Sequence, residues 1–262
     1  MNTLNIPIIN YHKIEAEWDI GITTRTPDRF AADMFLLKEM GFQTVTFNDL
    51  AHGHSPAHIS KPLIITFDDG YESVYTRALP VMRGFGFRGV VYVPTAFIGK
   101  ENSWDVQFGG KGYRHLDTAQ LKDIQAAGFE IGSHGIRHVA FTALSDDTLQ
   151  KELLESKKYL EDLLGKPVVS ICYPFGQFNE AVQSGVKKAG YHYALASLYF
   201  FGSDKSATFG LKRMNVYRFD SDTVLKKKTL IKPPGGLLLR DWLIQRGALA
   251  TVLYQRVTNN NL

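Results

Sequence analysis

The chain has 262 residues, 44% of them hydrophobic and 21% charged, with a formal net charge of +4 at pH 7. This is an ordinary globular balance, with apolar material for a sizeable core and a length that α/β barrels commonly reach as one domain. The single cysteine, Cys172, excludes an intrachain disulfide and suits a reducing compartment, and no window of about 18 apolar residues exists to span a membrane.

In chain order, MNTLNIPIINYHK shows no basic leader followed by a long apolar stretch and a cleavage site. No signal peptide is expected, and the predicted location is cytoplasmic, at the inner membrane face as a variant. Residues 6–10 read as a strand. Thr26 and Pro27 open a helix that ends at Gly41, with Thr as N-cap and Pro in the first turn. Residues 42–47 and 63–67 read as strands, 71–85 as a helix interrupted near Pro80, and 89–93 as a strand. A helix over 116–127 stops at Gly128 and leads to a short strand over 129–131. The clearest helix covers 145–164. Ser145 caps it, Asp146 and Asp147 sit in its positive first turn, and Leu149, Leu153, Leu160, Leu163 and Leu164 form one stripe. Strands over 168–172, 191–196 and 214–217 follow, with a helix over 179–189.

Strands alternating with helices predict a parallel sheet with helices outside, either an open doubly wound sheet or a barrel. In both architectures the site lies at the C-terminal ends of the strands. Three stretches fall there. Thr66-Phe67-Asp68-Asp69-Gly70 reads by itself as an Asp-Gly turn. Gly132-Ser133-His134-Gly135-Ile136-Arg137-His138 carries two histidines four apart, which lie on one face if helical. Cys172-Tyr173-Pro174-Phe175-Gly176 reads as a Pro-containing turn, and Cys172 as a small buried hydrophobe. Together, two histidines and one aspartate make a facial ligand set for a divalent cation with open positions. The second aspartate is then free to act as general base.

In this order, ITFDDGY, EIGSHGIRH and YPFG resemble the polysaccharide deacetylase family, the NodB-homology domain of carbohydrate esterase family 4, over roughly residues 5–220. The resemblance implies a distorted (β/α) barrel and metal-dependent removal of an acetyl group from an N-acetylated sugar, in a polysaccharide or glycan precursor. By motif, Asp68 resembles the general base, and Asp69, His134 and His138 resemble the ligands of a metal, usually zinc. The backbone N–H of Tyr173 resembles an oxyanion donor. Many members carry an arginine where this chain has Cys172, and Arg213 in LKRMNV is the replacement suggested by position. A late Leu-x-His is missing. Ile9-Asn10-Tyr11-His12 instead matches a branch of rearranged order, which assigns the general acid to His12. The same scaffold serves O-acetyl esters and other amides, and the reading of a different class is a catalytically inactive carbohydrate-binding relative.

Weaker signals remain. His52, His54 and His58 fall in a stretch that reads as a surface loop, and Trp104 in a long connection reads as a sugar contact or as core. No nucleic-acid motif accompanies the mild basic charge, so the expected partner is a carbohydrate substrate and not nucleic acid. Residues 221–262 form a basic and apolar extension beyond the resemblance, expected to be helical and to contact a membrane surface, the barrel or another subunit.

Overall fold

Apolar runs bounded by turn residues form the parallel strands β1 (Ile8–Tyr11), β2 (Gln43–Thr44), β3 (Pro62–Phe67), β4 (Val90–Val93), β5 (Glu130–Ser133), β6 (Ser170–Cys172), β7 (Tyr193–Ala196), β8 (Leu211–Lys212) and β9 (Met214–Asn215). The helices are α1 (Pro27–Glu39), α2 (Phe47–Ala51), α3 (Leu79–Gly84), α4 (Thr118–Ala126), α5 (Asp146–Leu164), α6 (Glu180–Lys188), α7 (Asp222–Lys228) and α8 (Gly235–Gln245). They come from a computed structural model that describes residues 5–16, 22–53, 58–102, 112–197 and 208–245.

The strands are hydrogen-bonded in the order β8–β7–β6–β5–β4–β3–β1–β9, with β2 alongside β3. The two ends of this order, β8 and β9, are separated in the chain by Arg213 alone. The sheet therefore curls until its edges meet, giving a nearly closed distorted (β/α) barrel.

The pleat divides each strand between two cores. Ile9, Tyr11, Ile65, Phe67, Val91, Val93 and Ile171 face the helices. Ile8, Ile64, Val90, Tyr92, Cys172 and Leu211 face the barrel interior. Continued by twos, the interior rows read Ile8-Asn10-His12, Ile64-Thr66-Asp68, Glu130-Gly132-His134, Ser170-Cys172 and Leu211-Arg213-Asn215. The rows that begin at Ile8, Ile64 and Leu211 start apolar and turn polar toward the C-terminal end, and the β5 row, though it begins at the buried Glu130, also ends polar at His134. The polar groups of the mouth are thus placed by strand periodicity.

Two predicted elements differ. The strand expected over 42–47 stops after Thr44, because Thr46 starts α2 with a reciprocal cap. Its hydroxyl accepts from the Asp49 amide at 3.3 Å, and the Asp49 carboxylate accepts from the Thr46 amide at 2.9 Å. The helix expected over 71–85 begins as a wide turn over Val74–Ala78 and continues as α3, with Pro80 in the first turn, where a missing N–H breaks no bond.

The boundary expected at residue 220 falls inside a buried ionic cluster. Lys228 on α7 lies 2.6 Å from Asp220 and 2.8 Å from Asp241 on α8, all three inaccessible. Leu225 and Leu237 join the core outside the sheet. The described part of the extension carries α7 and α8, joined by a non-helical connection, and both pack against the rest of the chain. Among the described residues no helix is long and apolar enough to cross a membrane.

Candidate active site

Asp68 is the third member of an interior row and needs no special backbone to reach the mouth. Asp69, its neighbour, would face the helices if the strand continued. Instead its φ of 70° turns the chain, so the carboxylate is buried at the mouth as well. Left-handed backbone at a non-glycine residue costs about 1–3 kcal/mol and clusters at functional sites. His115, which sequence reasoning passed over, pins this turn: its Nδ1 lies 2.7 Å from the Asp69 carbonyl and donates to it.

His134 ends its own interior row, but His138 does not reach it through a helix, as the four-residue spacing had suggested. Residues 134–140 form a loop with Gly135 at φ 77° and His138 at φ 54°. The buried Glu152 of α5 holds this loop. Its carboxylate accepts from the amides of Ile136 (2.6 Å) and Arg137 (3.2 Å), and a Cβ on Gly135 would sit 3.0 Å from the same oxygen. The two rings stand side by side with centroids 4.7 Å apart, joined by this loop and not by the helix that the spacing suggests.

The result is a three-donor set. Asp69 Oδ1 lies 3.5 Å from His134 Nε2 and 3.3 Å from His138 Nε2, all three residues buried. His134 Nδ1 faces the Cys172 carbonyl at 2.8 Å. A carbonyl only accepts, so that nitrogen carries the proton, and in the neutral ring Nε2 offers a lone pair toward Asp69. Converging acceptors of this kind fit a divalent cation. Ligands held tetrahedrally at about 2.0–2.2 Å from zinc stand about 3.4 Å from one another, which matches the separations here. Burial by itself raises the Asp69 carboxyl, but with the two histidines donating Nε2–H to it their hydrogen bonds outweigh burial and hold it well below the usual range, and a bound cation would take the place of those protons.

Asp68 is clamped rather than ligated. Arg213 donates Nη1 to Oδ1 and Nη2 to Oδ2, both at 2.7 Å, and Asn10 Nδ2 donates to Oδ2 at 3.1 Å. Asn10 is held in turn by Asn215, Thr66 and Arg213 itself. Burial alone would raise the Asp68 carboxyl, yet the Arg213 charge overrides it and lowers the pKa to about 2. The Asp68 carboxylate therefore stays ionised throughout the ordinary pH range. Arg213 Nη2 also lies 2.9 Å from Cys172 Sγ. A small residue at 172 leaves the space that a guanidinium arriving from the β8–β9 closure occupies. A second group of close donors, Asp68, His134 and Cys172, already has this cation. Burial pushes the Cys172 thiol up, so it is a neutral filler and not a nucleophile.

His12 Nε2 stands 3.9 Å from Asp68 Oδ2 at the edge of the site, its side chain 19% exposed. Tyr173 does not fit the oxyanion role expected of it. Its amide donates to the Leu195 carbonyl at 2.9 Å in the β6–β7 ladder, and its hydroxyl donates to the Phe209 carbonyl. The neighbouring Phe175, at φ 57°, turns its ring edge-to-face with His138 at 4.8 Å. His52 caps the end of α2 away from the mouth, its Nδ1 donating to the Asn48 carbonyl. Trp104, His54 and the tail from residue 246 lie outside the described residues.

A parallel barrel with an Asp-His-His donor set and an arginine-clamped aspartate at its mouth defines a carbohydrate-deacetylase architecture. The profile of the polysaccharide deacetylase family matches residues 56–194, just over half of the chain, and this chain belongs to that family. Among curated proteins, Bacillus subtilis (strain 168) YxkH, named for polysaccharide deacetylases, is 29% identical over 216 residues, 80% of this chain and 71% of the relative. The poly-beta-1,6-N-acetyl-D-glucosamine N-deacetylase of Staphylococcus aureus (strain MSSA476) is 27% identical over 141 residues, 50% of this chain and 46% of that one. This chain thus spans under half the length of the staphylococcal relative. Among solved structures, the Streptococcus pyogenes deacetylase PplD, in complex with acetate, superposes with a TM-score of 0.73 at 21% identity, covering 86% of this chain and 97% of that one. That likeness establishes the barrel fold.

Proposed function

We propose that the protein is a divalent-metal-dependent hydrolase that removes N-acetyl groups from an amino sugar in a polysaccharide or glycan precursor. The observation that carries this reading is the convergence of Asp69, His134 and His138 beside an Asp68 held by Arg213. A zinc-type ion on the three donors would supply Lewis acidity, acidifying water and polarising the acetyl carbonyl. Asp68, kept ionised and oriented by Arg213 and Asn10, accepts the proton as water adds. His12 is the group placed to return a proton to the departing sugar nitrogen. The buried donors and the Phe175 ring keep bulk water from the reacting carbonyl.

The test is acetate release from a panel of N-acetylated and O-acetylated glycans, with and without chelator. A β-1,6-linked N-acetylglucosamine polymer heads the panel, on the strength of the staphylococcal relative's name. Chelator-sensitive release from an N-acetylated member is expected. Release from none of them, or release indifferent to chelator, overturns the proposal, and release from esters alone moves the assignment to O-deacetylation.

A further inference from the structure

At the end of the barrel away from the mouth, the starts of β1 and β8 and the α7–α8 connection enclose an open groove of about 490 Å³. Its walls are mostly apolar, with Ile8, Leu211, Met214, Leu230, Ile231 and Leu238 contributing, and Lys212, Arg213, Lys228 and Lys232 also line it. Leu230 and Ile231 are 49% and 61% exposed, and Leu239 and Leu243, one turn apart on the solvent side of α8, are 49% and 56% exposed. Hydrocarbon left in water at this density marks an interaction surface.

The charges beside it indicate the partner. Lys212 and Lys232 line the groove, Lys226 and Lys227 lie on the neighbouring α7, and all four are exposed with none paired to a carboxylate among the described residues. From Thr223 to Leu239 the chain carries no acidic residue at all. The fourth lysine of this run, Lys228, is turned inward onto Asp220 and Asp241, so the exposed ones are left without a counter-charge of their own. Unpaired lysines around exposed leucine and isoleucine complement an anionic headgroup layer over hydrocarbon. A protein partner would need acidic groups set to match, whereas a lipid surface supplies both properties everywhere.

We infer that this face docks on an anionic lipid bilayer, with the lysines on the headgroups and Leu230, Ile231 and Leu239 entering the interface. Docked this way, the barrel points its mouth away from the bilayer. The inference stands independently of the deacetylase reading, since it uses none of the site residues.

Co-sedimentation of the full chain with vesicles tests it. Binding is expected to vesicles of phosphatidylglycerol mixed equally with phosphatidylcholine, and not to phosphatidylcholine alone, and is expected to weaken with added salt. The triple variant Lys226→Gln, Lys227→Gln, Lys232→Gln should bind about 100-fold more weakly, at about five-fold per lysine removed. Ile231→Ser, a change at an exposed position, should weaken binding while the melting temperature stays unchanged. Equal binding to both vesicle types, no binding to either, or a triple variant that binds like the parent overturns the inference. So does a concentration-dependent dimer that Ile231→Ser dissolves, because the face would then belong to a second copy.

Discussion

Asp68 and Asp69 are adjacent in sequence but occupy opposite electrostatic roles, and the difference lies in their partners. Asp69 meets the Nε2 atoms of two histidines, whereas Asp68 meets a fixed guanidinium. Asp68→Asn removes the proton acceptor and leaves Arg213 buried opposite a neutral amide. The expected outcome is a kcat lower by about 10²–10⁴-fold and a stability lower by about 3–5 kcal/mol, with bound metal unchanged by elemental analysis. His12 is tested by a change of leaving group. His12→Ala should slow N-acetyl hydrolysis by about 10²–10⁴-fold yet barely affect an acetyl ester whose leaving group departs without a proton. Equal losses on both substrates would remove His12 from the role of acid.

At the scale of elements, β5 shows how tightly the ligands are supported. A Cβ on Gly132 would lie 2.3 Å from Tyr92 Cε1, and Tyr92 is fully buried with its hydroxyl on Ser170 at 3.1 Å. The ring has nowhere to move. Gly132→Ala should cost about 1–3 kcal/mol by denaturant titration and weaken metal binding, because β5 ends in His134. Most of the strand and helix order was legible in sequence, since apolar runs alternate with capped amphipathic stretches such as 145–164. The interior rows were not, because strands buried on both faces show no alternation of apolar and polar residues to read. The donor set was legible as residue types. Its assembly was not: a loop with two left-handed residues, braced by Glu152 from another helix, leaves no periodic signal. Arg213 had only a positional hint, because its contact with Asp68 exists solely through barrel closure.

For the molecule as a whole, Glu130 couples stability to pH. It is buried at the start of β5, accepting from the Ser170 hydroxyl at 2.6 Å and the Asn48 amide at 2.8 Å, and burial raises its carboxyl from the ordinary 4.5 to about 7. A raised folded-state pKa means a contribution fully present below about pH 4.5 and lost as pH rises through about 7. Glu130→Gln should therefore flatten the fall in melting temperature between those values, a difference of order 3 kcal/mol at pH 8. An unchanged pH slope in the variant would count against a neutral Glu130 in the fold. The closure at Arg213 has a different kind of consequence, in time rather than in space. The contact from Arg213 to Asp68 spans 145 residues and that to Asn10 spans 203. Contacts so distant in sequence form late, after the chain entropy of closing the ring has been overcome. Asp69, His134 and His138 all precede residue 213, so on the proposed reading a chain emerging from synthesis can assemble its donor set while Asp68 is still unclamped. During refolding, metal binding should recover before hydrolysis does, and catalytic activity then becomes a timer for the last strand to dock.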